Sequence, residues 1–227
     1  EQHFLGMLDS HEVDAIMLAS IEKADQIIKT AKKYPGKVIL VNEDIPVLKT
    51  NSIILDHYDA VKAGLQYLFN KGYKRISYVT GGSFTSSDHG STRTQAFLDF
   101  MQEHNLTIKA DWIFEGYHTI DDGFKLANNI LNLKQKPEVV FTNSDEVALG
   151  LIVNLQKHNI KIPNNIAVMG YDDQPLSKYA AVPITTIHQP VDDLAKAAVH
   201  KLLDNLKVKN HIQVPKMKLK VIIRKST

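Results

Sequence analysis

A short apolar run at residues 166–169 is broken by Gly170 and followed at once by Tyr171-Asp172-Asp173. Such a run reads as a buried strand, and in open parallel sheets ligands bind just outside the carboxyl ends of the strands. A carboxylate there can accept hydrogen bonds from ligand hydroxyls or amines, and that role falls to Asp172. The plainer reading of aspartate before a polar loop is a turn former, and Asp173 is assigned to it. Arg93, early in a predicted helix, offers five donors in a planar fork that suits adjacent hydroxyls or a carboxylate. As a bare surface cation at a helix N-terminus it would be mildly unfavourable. Ser87 and His89, in the Gly/Ser-rich stretch before Arg93, can supply a hydroxyl and an imidazole, or be nothing more than loop residues. Ser144-Asp145-Glu146 sits at a strand-to-helix junction, where serine and aspartate are ordinary caps.

No pattern for bond-making chemistry accompanies these groups. His57, His104, His158, His200 and His211 are scattered without paired metal-ligand spacing. Gly81-Gly82 lacks both phosphate-loop signatures, and no Gly-x-Ser-x-Gly elbow occurs. With no cysteine there is neither a thiolate nor a disulfide framework. The expected chemistry is recognition: no enzyme, no cofactor and no bound metal.

The elements that must position these residues alternate regularly. Strands are predicted at 13–19, 38–41, 75–80, 112–114, 139–142 and 166–169, with extended segments at 52–55 and 185–187 and a closing pair of strands near 212–223. Helices are predicted at 22–34, 58–70 (capped by Asp56 and closed by Gly72), 92–104, 120–133, 146–158 and 191–206, with Pro190 as a first helical residue and a helix end over 1–11 that turns Phe4, Leu5 and Leu8 to one side. This alternation implies α/β architecture with parallel sheets wrapped by helices, and there are enough strands for two lobes. The 227 residues are 44% hydrophobic, ample for packed cores. The formal net charge of +2 argues against a surface that grips nucleic acid. No apolar run approaches the roughly 18 residues of a membrane span.

Two stretches of the chain match one pattern. Val168-Met169-Gly170-Tyr171-Asp172-Asp173 and Pro183-Ile184-Thr185-Thr186-Ile187-His188-Gln189-Pro190 resemble the V-x-G-[FY]-D-[DN] and P-x-[LI]-T-[TS]-[VI]-x-Q-P segments of the lactose-repressor/galactose-repressor family of bacterial transcription regulators. Val13-Asp14-Ala15-Ile16-Met17-Leu18-Ala19-Ser20 is similar to the family's V-D-G-I-I-[LF]-x-S, with Ala15 in place of glycine. The resemblance implies a periplasmic-binding-protein-like fold of two Rossmann-like lobes with the first incomplete at its N-terminus, residues 1–55 plus 190–213 in one lobe and 56–189 plus 214–227 in the other. It also implies that the DNA-binding head precedes this chain.

The resemblance carries over to single residues. Arg93-Thr94-Gln95-Ala96-Phe97 is like the family's R-x-x-G-F, with Ala96 in place of the usual glycine, and the resemblance places Arg93 facing the ligand cleft. Ser144-Asp145-Glu146-Val147-Ala148-Leu149-Gly150 resembles [NS]-D-x-x-A-x-G, which turns Ser144 to the ligand and leaves Asp145 to cap a helix or tie a loop. Asn42 stands where family members commonly carry a polar contact. Gly116-Tyr117-His118-Thr119 aligns with G-D-[FY]-T, whose aromatic stacks on ligand; here His118 takes that position and Tyr117 the acidic one, and either can offer the flat face. The implied function is a cytoplasmic, homodimeric transcriptional regulator, a repressor by class, that binds a small effector, in expectation a sugar, in a cleft between lobes. It answers allosterically through operator DNA held by a head outside this chain. The alternatives are a stand-alone sugar-binding protein and a catabolite-control-type regulator answering to a partner protein.

Overall fold

The computed structural model describes residues 2–19, 21, 23–43, 45–82, 84 and 91–227; Ser87 and His89 lie outside the described residues. The chain divides into two compact units, Glu1–Leu55 with Pro190–Lys218, and Asp56–Gln189 with Leu219–Thr227.

The second unit is built on strands that are apolar and buried end to end. Strands β4 (Ile76–Thr80), β6 (Val139–Phe141) and β7 (Ala167–Met169) expose no residue, the signature of a sheet covered on both faces. With β5 (Ile113–Glu115) they form a parallel sheet in the order β5-β4-β6-β7, in register at Tyr78 with Ile113 and Phe141, and at Phe141 with Met169. Helices α3 (His57–Asn70) and α4 (Ser91–Glu103) cover one face, where Leu65, Leu68, Phe97, Phe100 and Met101 pack on Tyr78, Phe141 and Met169. On the other face, Leu126 and Ile130 of α5 (Ile120–Asn132) and Leu151 and Leu155 of α6 (Asp145–Lys157) pack on Val79, Val140 and Val168. A Cβ at Gly150 would collide with the backbone of Ile120 and Phe124, so glycine is what lets α6 lie this close to α5.

Local signals start and stop these helices as the sequence predicts. Asp56 accepts the Asp59 N–H at 3.0 Å to cap α3, and Gly72, at φ +96°, turns the chain out of it. The stretch between β7 and β8 (Thr186–His188) holds an unpredicted helix, α7 (Pro175–Tyr179), opened by proline at its first position. Strand β8 continues the sheet through bridges at Met169 to Thr185 and Asp172 to His188.

The predicted closing pair of strands is a single strand, β9 (Lys220–Ile222), antiparallel to β8. Residues 214–218 are not extended into a ladder and group with the first unit, not the second. Alternation of apolar and basic residues suggested a strand there, but Pro215 has no N–H to give a ladder. The last four residues lock into the second unit. Ser226 Oγ donates to Val168 O at 2.5 Å and accepts the Thr185 N–H at 2.8 Å, and the Arg224 guanidinium meets Asp173 at 2.5 Å.

The first unit is smaller. Strands β1 (Ile16–Leu18), β2 (Val38–Val41) and β3 (Ser52–Ile53) form a parallel sheet in sequence order. Helices α1 (Gln2–Asp9) and α2 (Ala24–Lys33) bury Leu5, Leu8, Ile27 and Ala31 with Val38 and Leu40. Phe4 is 59% exposed, contrary to expectation, because the buried stripe of so short a helix is only as wide as Leu5 and Leu8. Helix α8 (Val191–Asn205) buries Leu194, Ala197 and Ala198; Pro190 is its N-cap and not, as expected, its first helical residue.

Candidate functional site

In the order β5-β4-β6-β7 the chain first leaves β4 toward β5, then crosses back to β6 on the other side of β4. The helices on these two connections, α4 and α5, lie on opposite faces. Between β4 and β6 the sheet therefore has its topological switch point, the crevice where open α/β sheets take ligands. The carboxyl ends converging on this edge are Gly81 after β4, 116–118 after β5, Asn143-Ser144 after β6 and 170–172 after β7.

Arg93, from the first turn of α4, reaches this edge. Its Nη1 donates to the Asn143 carbonyl at 3.2 Å and its guanidinium carbon lies 4.8 Å from the centre of the Tyr171 ring. One carbonyl and one aromatic face orient the fork, and among the described residues no other hydrogen-bond acceptor meets it. Tyr171 is buried, and its hydroxyl lies 2.7 Å from His57 Nδ1. Burial, and secondarily the positive charge of Arg93, push the His57 imidazole down to about 4. A neutral imidazole can accept the phenolic proton, and burial raises the Tyr171 hydroxyl above its ordinary range, which keeps that proton in place.

Asp172 is half-buried beside this group. Its Oδ1 accepts from Gln189 Nε2 at 2.6 Å, and its N–H donates to Ile187 O at 2.9 Å. Burial pushes its carboxyl upward, opposed by the Gln189 hydrogen bond and the charge of Arg93. Asp172 stands at φ +106° and Asp173 at +59°. Consecutive non-glycine residues in this region are uncommon and costly, and they persist where surrounding structure holds them, often at ligand sites. Here the holding contacts are the β8 bridge on one side and Arg224 to Asp173 on the other. Asp173 is an ion-pair partner, with His188 Nδ1 2.9 Å from its other oxygen.

Between Tyr117 and His118 the structure separates two tasks. Tyr117 packs edge-on against Phe114, and its hydroxyl accepts from Asn129 of α5 at 2.7 Å. His118 is exposed at the carboxyl edge, close enough to Gly81 that a Cβ there would lie 3.2 Å from its ring. The capping box of α5 sets its backbone: Thr119 Oγ1 accepts the Asp122 N–H, and Asp122 accepts the N–H groups of His118 and Thr119, each at 3.2 Å.

Ser144 is the N-cap of α6, its Oγ accepting the Val147 N–H at 3.3 Å. Asp145 ties the loop: fully buried, it accepts the Gln174 N–H at 2.8 Å. Burial, assisted by the charges of Asp172 and Asp173, pushes its carboxyl up to about 7. Asn42 lies in the first unit at the end of β2, at φ +59°, with Oδ1 3.5 Å from the Leu55 N–H. Arg93, Asp172, Ser144, Tyr117 and His118 therefore gather on one edge of the second unit, and Asn42 stands on the other unit. Sequence reasoning missed Tyr171, His57, Asn143 and Gln189 as participants. Tyr171 and Gln189 lie inside the quoted motifs, whereas nothing in the sequence singles out Asn143.

Among the described residues no group of three or more His, Asp or Glu is placed to hold a metal ion. No helix among them is long and apolar enough to cross a membrane.

A polar edge at the switch point of a doubly wound sheet, with an oriented arginine fork and a carboxylate, defines an effector-binding α/β domain of the periplasmic-binding-protein kind. The family model for periplasmic binding protein-like domains matches residues 65–227. The NTD biosynthesis operon regulator NtdR of Bacillus subtilis (strain 168) is 31% identical over 229 residues, covering 100% of this chain and 69% of that protein. The HTH-type transcriptional repressor PurR of Aliivibrio salmonicida is 30% identical over 230 residues, covering 100% and 68%. A LacI family transcriptional regulator from Lactobacillus casei, solved with bound sucrose, has 44% sequence identity and a TM-score of 0.94, covering 100% of this chain and 83% of that one. With bound glucose it gives 44% and 0.91. The chain belongs to the LacI family of transcriptional regulators, as its periplasmic-binding-protein-like, effector-binding part. These relatives are regulators.

Proposed function

We propose that this chain is the sensing region of a cytoplasmic, homodimeric transcriptional regulator whose grip on operator DNA answers to a small polyhydroxylated effector, a sugar, held at the carboxyl edge of the second unit. The observation that carries the reading is the Arg93 fork, oriented from below by Tyr171 and from the side by the Asn143 carbonyl, with the Asp172 carboxylate beside it. A cationic donor set next to an acceptor suits vicinal hydroxyls, which both give and take hydrogen bonds. The sucrose and glucose bound by the 44% identical regulator support the same substrate class.

In this reading Arg93 and Asp172 grip hydroxyls and His118 offers its face to the C–H surface of a sugar ring, while Tyr117 stays with its own helix. Ser144 adds its hydroxyl while capping α6. Ser87, His89 and Asn42 remain candidate polar contacts. Operator DNA is bound through a head outside this chain, and the effector acts by preferring one conformation of the regulator over another.

The test is a thermal-shift and calorimetric screen of the chain against pentoses, hexoses, disaccharides including sucrose, sugar phosphates and purines. A sugar that raises the melting temperature of the native chain and not of Arg93→Ala supports the reading. A folded native chain that answers to no sugar refutes it.

A further inference from the structure

Asn143 stands at the switch point itself, immediately after β6 and beside the end of β4. Three of its polar groups can be followed. Its carbonyl accepts from Arg93 at 3.2 Å, and its Nδ2 donates to the Tyr117 carbonyl at 2.7 Å. The third, Oδ1, is buried and has no hydrogen-bond partner. The carboxamide cannot flip to relieve this, because Oδ1 would then face the Tyr117 carbonyl oxygen. Buried side-chain acceptors in folded proteins are nearly always satisfied, and one left open in a polar crevice asks for a donor from outside the chain.

The surroundings say what donor fits. A Cβ at Gly81 would come within 3.1 Å of Asn143 Nδ2 and 3.2 Å of His118 Cε1, so the end of β4 is bare backbone where these two side chains meet. Arg93, on the same residue's carbonyl, brings N–H donors and no acceptor. A group satisfying both must accept from a guanidinium and donate to a carboxamide oxygen, which is what an alcohol hydroxyl does. We infer that Asn143 is a specificity-determining contact of the effector site, its Oδ1 accepting from a single sugar hydroxyl that in turn accepts from Arg93. This rests on the sugar-sensing reading and deepens it: it assigns a ligand hydroxyl to a residue that otherwise only holds Arg93 and the 116–118 loop in place.

The experiment is a hydroxyl-by-hydroxyl cycle by titration calorimetry on the whole chain. Sucrose, glucose and the other sugars of the screen come first, then the monodeoxy analogues of whichever sugar binds. Native chain, Asn143→Ala, Asn143→Asp and Arg93→Ala are compared. On the native chain one deoxy analogue binds about a hundredfold more weakly than the parent sugar, since it loses both its donation to Asn143 and its acceptance from Arg93. On Asn143→Ala the parent sugar is weakened about tenfold and that same analogue falls only about a further tenfold below it, because the contact with Arg93 remains. Asn143→Asp keeps an acceptor but sets a carboxylate oxygen against the Tyr117 carbonyl, so melting curves establish that each variant is folded before its dependence on that hydroxyl is read. If every deoxy analogue loses as much affinity on Asn143→Ala as on the native chain, Asn143 touches no hydroxyl and the inference falls. If binding is also lost in Arg93→Ala, that outcome leaves the sugar-sensing reading standing. If no sugar binds the folded native chain, both fall.

Discussion

Acid should weaken this protein through His57, and the size of the effect follows from the site. Its imidazole is held neutral down to about 4 against an ordinary 6.5, by burial against Tyr171 and by the charge of Arg93. In the unfolded chain the residue protonates near 6.5. A lowered folded-state value means the stability His57 contributes is fully present above 6.5 and drains away as pH falls from there through 4. Integrating that linkage between pH 7.5 and pH 5.0 gives a loss of about 2 kcal/mol, out of roughly 3 kcal/mol for the full shift at 1.36 kcal/mol per unit. Asp145 works in the opposite sense, because its raised carboxyl favours the fold more as pH falls from 7. A comparison with His57→Gln removes that contribution, since both proteins carry Asp145, and glutamine can still accept from the Tyr171 hydroxyl without titrating. Urea unfolding at the two pH values should show the native chain losing about 2 kcal/mol more than His57→Gln. Equal losses in the two proteins would refute a His57 held neutral by burial against Tyr171.

Other consequences follow from the same geometry. Asp145 is ionised against burial at high pH, so the stability of Asp145→Asn relative to the native chain should rise by about 2–4 kcal/mol between pH 5 and pH 8.5, read by denaturant unfolding; a flat difference would contradict it. Arg224→Leu strips the guanidinium from Asp173, Ser177 and the Ile184 carbonyl, and should cost about 3 kcal/mol at neutral pH, with unfolding below 1 kcal/mol counting against a structural role for the pair. Gly150→Ala forces α6 away from the backbone of Ile120 and Phe124, and should lower the urea midpoint by the equivalent of about 1–3 kcal/mol without removing any polar contact of the site.

The sequence was most legible where period and punctuation agree. Buried runs such as Val139-Val140-Phe141, short, β-branched and set between helical patterns, read as central parallel strands. Asp56 announces a helix start by a side chain that can accept an orphan N–H, and does so, whereas the cap of α6 falls to Ser144 and not to Asp145, and the Thr119 cap of α5 was not read from the sequence. Local chemistry misled where it was only local. The alternating 214–220 stretch has strand composition, but Pro215 and the lack of a partner leave only Lys220–Ile222 in a ladder. Helix α7 was invisible because five residues carry no period to read.

What the sequence determined by itself is therefore the class of fold, the order of its elements and the polar residues that end its strands, since these depend on contacts within a few positions of the chain. What only tertiary structure decided is which of those residues act together. Arg93, Asn143 and Tyr171 are far apart in sequence, and they meet because the crossover from β5 to β6 brings two strand ends to either side of one crevice. The same long-range packing splits Tyr117 from His118, turning one to Asn129 and leaving the other at the edge. It also buries Asp145 and His57 deeply enough to move their protons. Burial and dielectric are properties of the assembled fold, and no window of sequence contains them.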